Sequence, residues 1–126
     1  MNAFVYGTLC EPDHTRRVLG HADYVSSATL TGLHRVSGRY PTLAPGGSIE
    51  GRILRLSGDD LQALDAYEGV ERGLYVRVRV PFEDGAVWTY VGDPNALDVD
   101  VAWPGEGPFE SRVKRYVERN DVRVRR

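Results

Sequence analysis

Glu68 closes the segment Leu61-Gln62-Ala63-Leu64-Asp65-Ala66-Tyr67-Glu68-Gly69, whose spacing predicts one short helix. At 100° per residue, Leu61, Leu64 and Glu68 fall at roughly 0°, 300° and 340°, one face of the cylinder. The two leucines belong in the core, so the carboxylate points the same way. An inward carboxylate is costly unless it is paired or put to use, which makes Glu68 a candidate general base. The opposing reading is a frayed helix end with Glu68 turned to solvent, because Gly69 stops the helix immediately after it. Asp65 lies near the same face, at about 40°. Its expected partners are nearby backbone N–H groups, rather than a substrate as a second catalytic acid.

A second candidate is Val5-Tyr6-Gly7-Thr8-Leu9. A strand ends, glycine frees the backbone, threonine offers a hydroxyl, and successive N–H groups at such a bend can form an anion-binding nest. One glycine is not a phosphate-binding fingerprint, so an ordinary turn competes with this reading. Tyr75, seven residues past Glu68, could line a cleft and donate to a ligand oxygen, or serve as a core aromatic with its hydroxyl at the rim. Tyr40 and Trp103 carry the same two readings. His14, His21 and His34 lack metal-ligand spacing and no Cys-x-x-Cys is present, so neither metal nor cofactor is expected. Cys10 and His14 are four apart, which would suit a Cys–His nucleophile pair on a helical turn. A small thiol packed beside the first strand is the preferred reading.

These residues need elements to hold them. Residues 2–6 read as a strand and 13–19 as a brief helix between Asp13 and Gly20. Residues 24–36 read as one long or bent strand with Gly32 at a bend or bulge. Residues 40–47 read as an extended segment ending in a turn, and 49–56 as a further strand. Ser57 and Asp60 form a Ser-x-x-Asp helix start and Gly69 the stop. Residues 74–82 and 86–91 pair as a hairpin through Glu83-Asp84-Gly85. Residues 92–108 read as loop, and Phe109, Val113 and Tyr116 recur at helical spacing, predicting a helix over 109–119. Five or six consecutive strands with two or three short helices predict an α+β fold, a small mixed-sheet barrel rather than a doubly wound parallel sheet.

The 126 residues fit one domain, with a basic tail from about residue 120. Hydrophobic residues make up 41% and charged residues 27%, enough for an ordinary water-soluble core. No apolar run spans a membrane, and residues 1–6 carry no secretory signal. A single cysteine excludes an internal disulfide and fits a reducing, cytoplasmic setting. Residues 111–126 carry a net charge of +5 and the remainder −7. That basic stretch could touch RNA or lipid, but the preferred reading is a solvated helix with a ragged end, so no nucleic-acid or membrane partner is expected. A monomer or homodimer is expected.

Taken in order, Val-Tyr-Gly-Thr-Leu at 5–9, Tyr-Pro-Thr-Leu at 40–43, Ile-Glu-Gly-Arg-Ile-Leu at 49–54, Leu-Asp-Ala-Tyr-Glu-Gly at 64–69 and Tyr-Val-Arg at 75–77 resemble the gamma-glutamylcyclotransferase-like family, which includes gamma-glutamylamine cyclotransferases. The resemblance runs from about residue 3 to 92. It implies a small mixed-sheet barrel with a cavity at one end. It implies that Tyr6, Gly7, Thr8 and Leu9 hold the glutamyl end of a small gamma-glutamyl substrate, that Glu68 is the acid/base residue, and that Tyr75 is a pocket tyrosine. The implied reaction is release of 5-oxoproline by attack of the substrate's own α-amino group on its γ-carbonyl, which requires no serine, cysteine or metal. A non-catalytic module binding a small metabolite in the same cavity is the alternative.

Overall fold

The computed structural model describes residues 1–38 and 40–126. Six strands among these residues make one closed barrel: β1 (Asn2–Val5), β2 (Tyr24–Val36), β3 (Thr42–Arg55), β4 (Tyr75–Phe82), β5 (Gly85–Gly92) and β6 (Arg123–Arg125), in the spatial order β1-β3-β2-β6-β4-β5. The β1/β5 and β4/β6 contacts are parallel and the others antiparallel, so the sheet is mixed. Among the described residues four helices accompany it: α1 (Pro12–Leu19), α2 (Gly58–Glu68), α3 (Pro94–Leu97) and α4 (Phe109–Arg119). The predicted α+β barrel is the observed architecture, with one short helix more than expected. That extra helix, α3, lies in the segment read as loop. Pro94 opens it and the Asp93 carboxylate accepts from the Asn95 N–H, a start signal too short to register as a periodic pattern. No helix among the described residues is long and apolar enough to cross a membrane.

β1 is buried on both faces, which is why it reads as a nearly continuous apolar run. Phe4 joins the barrel interior with Leu30, Leu33, Ile53 and Val78. Ala3 and Val5 join a second cluster with Leu54, Leu61 and Leu64, beneath α2. Close approach of β3 to β1 depends on Gly51, where an added Cβ would sit 2.2 Å from the Val5 carbonyl oxygen and 2.7 Å from the Phe4 ring. The strand that delivers Tyr6 and Gly7 is therefore pressed against β3 at its last residue.

Two expectations change. Residues 40–47 do not end in a turn before a separate strand, because β3 runs without a break from Thr42 to Arg55 and pairs with β2 along its length. The glycines at 46 and 47 form a bulge opposite Gly32, where the register shifts between Thr31 and Leu33. A bulge also tolerates Pro45, which has no N–H to give to the ladder. The C-terminus is not a ragged end either. Val122 and Val124 are buried and β6 bridges β2 to β4, while Arg123 and Arg125 point outward.

Because β6 closes the barrel, removing residues 122–126 should cost at least about 3 kcal/mol, from two buried valines at about 1.5 kcal/mol each before any lost strand pairing. Urea unfolding of the truncated and full chains measures this; coincident midpoints would show that the tail is dispensable.

Candidate active site

The bend after β1 is built around Gly7, whose φ of +68° lies in the left-handed region. Gly7–Cys10 then form a single 3-10 turn. Leu9 anchors it in the cluster beneath α2. Its carbonyls are tied outward: Leu9 accepts from the Thr15 hydroxyl at 2.9 Å and the Tyr24 hydroxyl at 2.6 Å, and Cys10 accepts from Arg52 at 3.1 Å. The opening N–H groups of such a turn have no carbonyl partner within it.

Opposite stands the end of α2. Ser57 and Asp60 form a reciprocal capping box that starts the helix. Leu61 and Leu64 fix its rotation by burial. Gly69, at φ +69°, ends it, and a Cβ there would meet Leu74 at 2.8 Å. These three constraints turn Glu68 inward rather than to solvent. Its carboxyl faces a cavity of about 480 Å³ that Tyr6, Thr8, Leu9 and Tyr75 also line, a volume within the ordinary range for small-ligand sites. Gly7 shapes this wall through its backbone and is not itself part of the lining.

Glu68 has no ion-pair or hydrogen-bond partner among the described residues. Burial alone raises its pKa from 4.5 to about 7, since desolvation penalises the charged form. Three tyrosine hydroxyls lie within its field, and all are committed elsewhere. Tyr6 donates to the Tyr90 carbonyl at 2.6 Å, Tyr75 to the Pro41 carbonyl at 2.7 Å, and Tyr90 to Asp65 at 2.7 Å. Burial, followed by the Glu68 charge, pushes the Tyr6 and Tyr75 hydroxyls above the usual range. Burial and the bond to Asp65 do the same for Tyr90.

Asp65 differs from its neighbour on the helix. Arg77 donates to it at 2.7 Å and Tyr90 occupies its other oxygen, so side chains rather than backbone N–H groups hold it. Cys10 and His14 do not pair: the Cys10 thiol donates to the Val5 carbonyl of the first strand at 3.3 Å, while His14 Nε2 lies 2.6 Å from the Tyr67 hydroxyl. His21 bonds Asp60 and His34 sits at the Gly46 carbonyl. No group of three or more His, Cys, Asp or Glu side chains among the described residues could hold a metal ion. Tyr40 is on the cavity wall. Trp103 is not; it is 5% exposed and packs edge-on against Phe109 and Tyr116.

Sequence reasoning missed Tyr90, the His14–Tyr67 pair and Arg72 on this wall. A signal for Tyr90 exists: apart from Thr89, residues 86–91 of β5 are apolar or aromatic on both alternating sets, which points to burial on both faces. His14, Tyr67 and Arg72 meet the cavity through tertiary proximity alone.

The sequence model of a family described as "Gamma-glutamyl cyclotransferase, AIG2-like" matches residues 3–108, reaching past the residue-92 limit of the motif resemblance. AIG2-like protein A of Arabidopsis thaliana is 36% identical over 133 residues, covering 93% of this chain and 77% of that protein. A solution structure of an Arabidopsis thaliana protein superposes with a TM-score of 0.61 at 36% identity, over 87% of this chain and 78% of the other. A solved structure of a protein named gamma-glutamyl cyclotransferase superposes with a TM-score of 0.60 at 20% identity, over 74% and 66% of the two chains, a likeness of fold.

The raised carboxyl has a consequence for stability. Between 4.5 and about 7 the folded chain holds a proton that the unfolded chain has released, so stability falls as pH rises through that window and stays lowered above it. Glu68→Gln removes the loss. It should unfold at higher urea than the parent above pH 7, by on the order of 2 kcal/mol after allowance for residual solvent contact, with the difference closing toward pH 4.5. A pH-independent difference would contradict the assigned burial.

Proposed function

Since this chain belongs to the gamma-glutamyl cyclotransferase, AIG2-like family, we propose that it is a gamma-glutamylcyclotransferase-type enzyme. Its reaction would release 5-oxoproline from a gamma-glutamyl amine or peptide. The observation that carries this reading is a half-buried, unpaired carboxylate facing the Gly7 turn across one cavity.

The substrate brings its own nucleophile. The turn's opening N–H groups would bind an anionic oxygen of the glutamyl part, and the wall of Tyr6 and Tyr75 would fold the chain so that the α-amino nitrogen meets the γ-carbonyl carbon. Holding the two reacting atoms of one molecule together can supply much of the rate. As the new N–C bond forms, Glu68 takes a proton from the attacking nitrogen. As the old C–N bond breaks, Glu68 returns that proton to the departing amine. A carboxyl poised at about 7 can accept and donate near neutrality, which one at its ordinary value could not do as well. Tyr75 and Tyr6, with their hydroxyls locked by carbonyl acceptors, act as fixed walls rather than as acids.

Incubation with a panel of gamma-glutamyl dipeptides and amines, assayed for 5-oxoproline, tests the activity. Glu68→Gln should lower kcat by about a thousandfold and leave substrate affinity within about threefold. In the parent, kcat/KM should rise with pH through a midpoint near 7 and that limb should vanish in the variant. Retained turnover in Glu68→Gln would remove the assigned role. Tight metabolite binding without any turnover in the parent would favour a non-catalytic binding module.

A further inference from the structure

The cavity has a closed side and an open side. Phe4, Val5 and Leu97 are buried in its floor, while Tyr40 and Tyr67 are 50% and 42% exposed and mark the mouth. Arg72 is exposed and shares that mouth. It follows Gly69 in the tight turn at 69–74, where the Arg72 and Leu74 N–H groups both donate to the Gly69 carbonyl at 3.1 Å. This turn carries the side chain from the end of α2 back over the opening.

Glu68 and Arg72 are the one acidic and the one basic (Lys or Arg) side chain on the wall among the described residues. They do not neutralise each other: burial is the one cause of the Glu68 shift. Arg72 makes no salt bridge among the described residues, and its neighbour Glu71 lies off the cavity wall. The mouth therefore presents a guanidinium with unused donors, beyond the carboxylate and on the solvent side of it.

Resting on the proposed reaction, a substrate's reacting carbonyl must lie between the Gly7 turn and Glu68. The buried floor cannot take a leaving group of varying length, so that group extends toward Tyr40, Tyr67 and Arg72. We infer that Arg72 is a specificity residue that favours leaving groups bearing a carboxylate, so that gamma-glutamyl amino acids are preferred over gamma-glutamyl alkylamines. A guanidinium fork matches carboxylate geometry, and a cationic amine leaving group would be repelled there.

The bland role for Arg72 is to sit at the negative end of α2 and stabilise the helix. The test separates the two. Gamma-glutamylalanine and gamma-glutamylethylamide differ only by the carboxylate. The parent should show the higher kcat/KM for gamma-glutamylalanine. In Arg72→Gln the ratio between the two substrates should fall about fivefold, through KM. Arg72→Lys should keep part of the preference, and about 0.5 M salt should erode it in the parent, since the site is solvent-exposed. An equal ratio in parent and Arg72→Gln, or a parent preference for the ethylamide, overturns the inference. Calorimetric affinities of both compounds for the parent and Arg72→Gln decide the case where neither is turned over. An Arg72-dependent preference for the carboxylate then upholds Arg72 as the carboxylate-recognising residue of the mouth, while the missing turnover removes the cyclotransferase reading; equal or absent binding overturns the inference.

Discussion

Withdrawing a carboxylate from water without giving it a cation is the constraint on which the site rests. The chain does this at Glu68 with ordinary means. Leu61 and Leu64 set the rotation of α2, the Ser57–Asp60 capping box sets its start, and Gly69 sets its end. The residue before that stop has no freedom to swing outward. The surrounding hydroxyls of Tyr6, Tyr75 and Tyr90 have acceptors of their own, so none relieves the buried charge. Asp65, one turn earlier, is the opposite case: Arg77 and Tyr90 satisfy both its oxygens. One helix thus carries a paired carboxylate and an unpaired one, and their neighbours make the difference.

The barrel's contribution is to fix what faces that carboxylate. β1 is a short strand pressed between β3 and β5, with both faces buried. The close approach at Gly51 and the Thr89 hydroxyl on the Phe4 carbonyl at 3.1 Å leave its end no play. The Gly7 bend follows directly, held from behind by Thr15, Tyr24 and Arg52. The loop that would grip a substrate is therefore rigid on one side of the cavity while the mouth at Tyr40, Tyr67 and Arg72 stays open. Such a division suits a reaction in which one half of the substrate is constant and the other varies.

Much of this was legible in the residues. Local signals placed α2 almost to the residue, because a capping pair, an apolar face and a terminal glycine all agree. The strand–Gly–Thr bend and the inward Glu68 could each be read alone, and the order of motifs linked them. What escaped depended on contacts distant in sequence. Gly46 and Gly47 look like a turn until the register opposite Gly32 shows a bulge. Arg123-Val124-Arg125 is too short to announce a strand, and its value lies in two neighbours far along the chain. Arg72 and the His14–Tyr67 contact, which spans 53 residues, belong to the cavity only once α1 and α2 are packed.

The most direct measurement is the titration of the Glu68 side chain itself. Carbon-13 NMR of glutamate-labelled protein, with Glu68→Gln to assign the resonance, follows that carboxyl across the pH range. The account predicts a midpoint near 7, in the folded protein only. A midpoint near 4.5, the value of a solvated glutamate, would mean that the carboxylate stands in water and that the site described above does not exist.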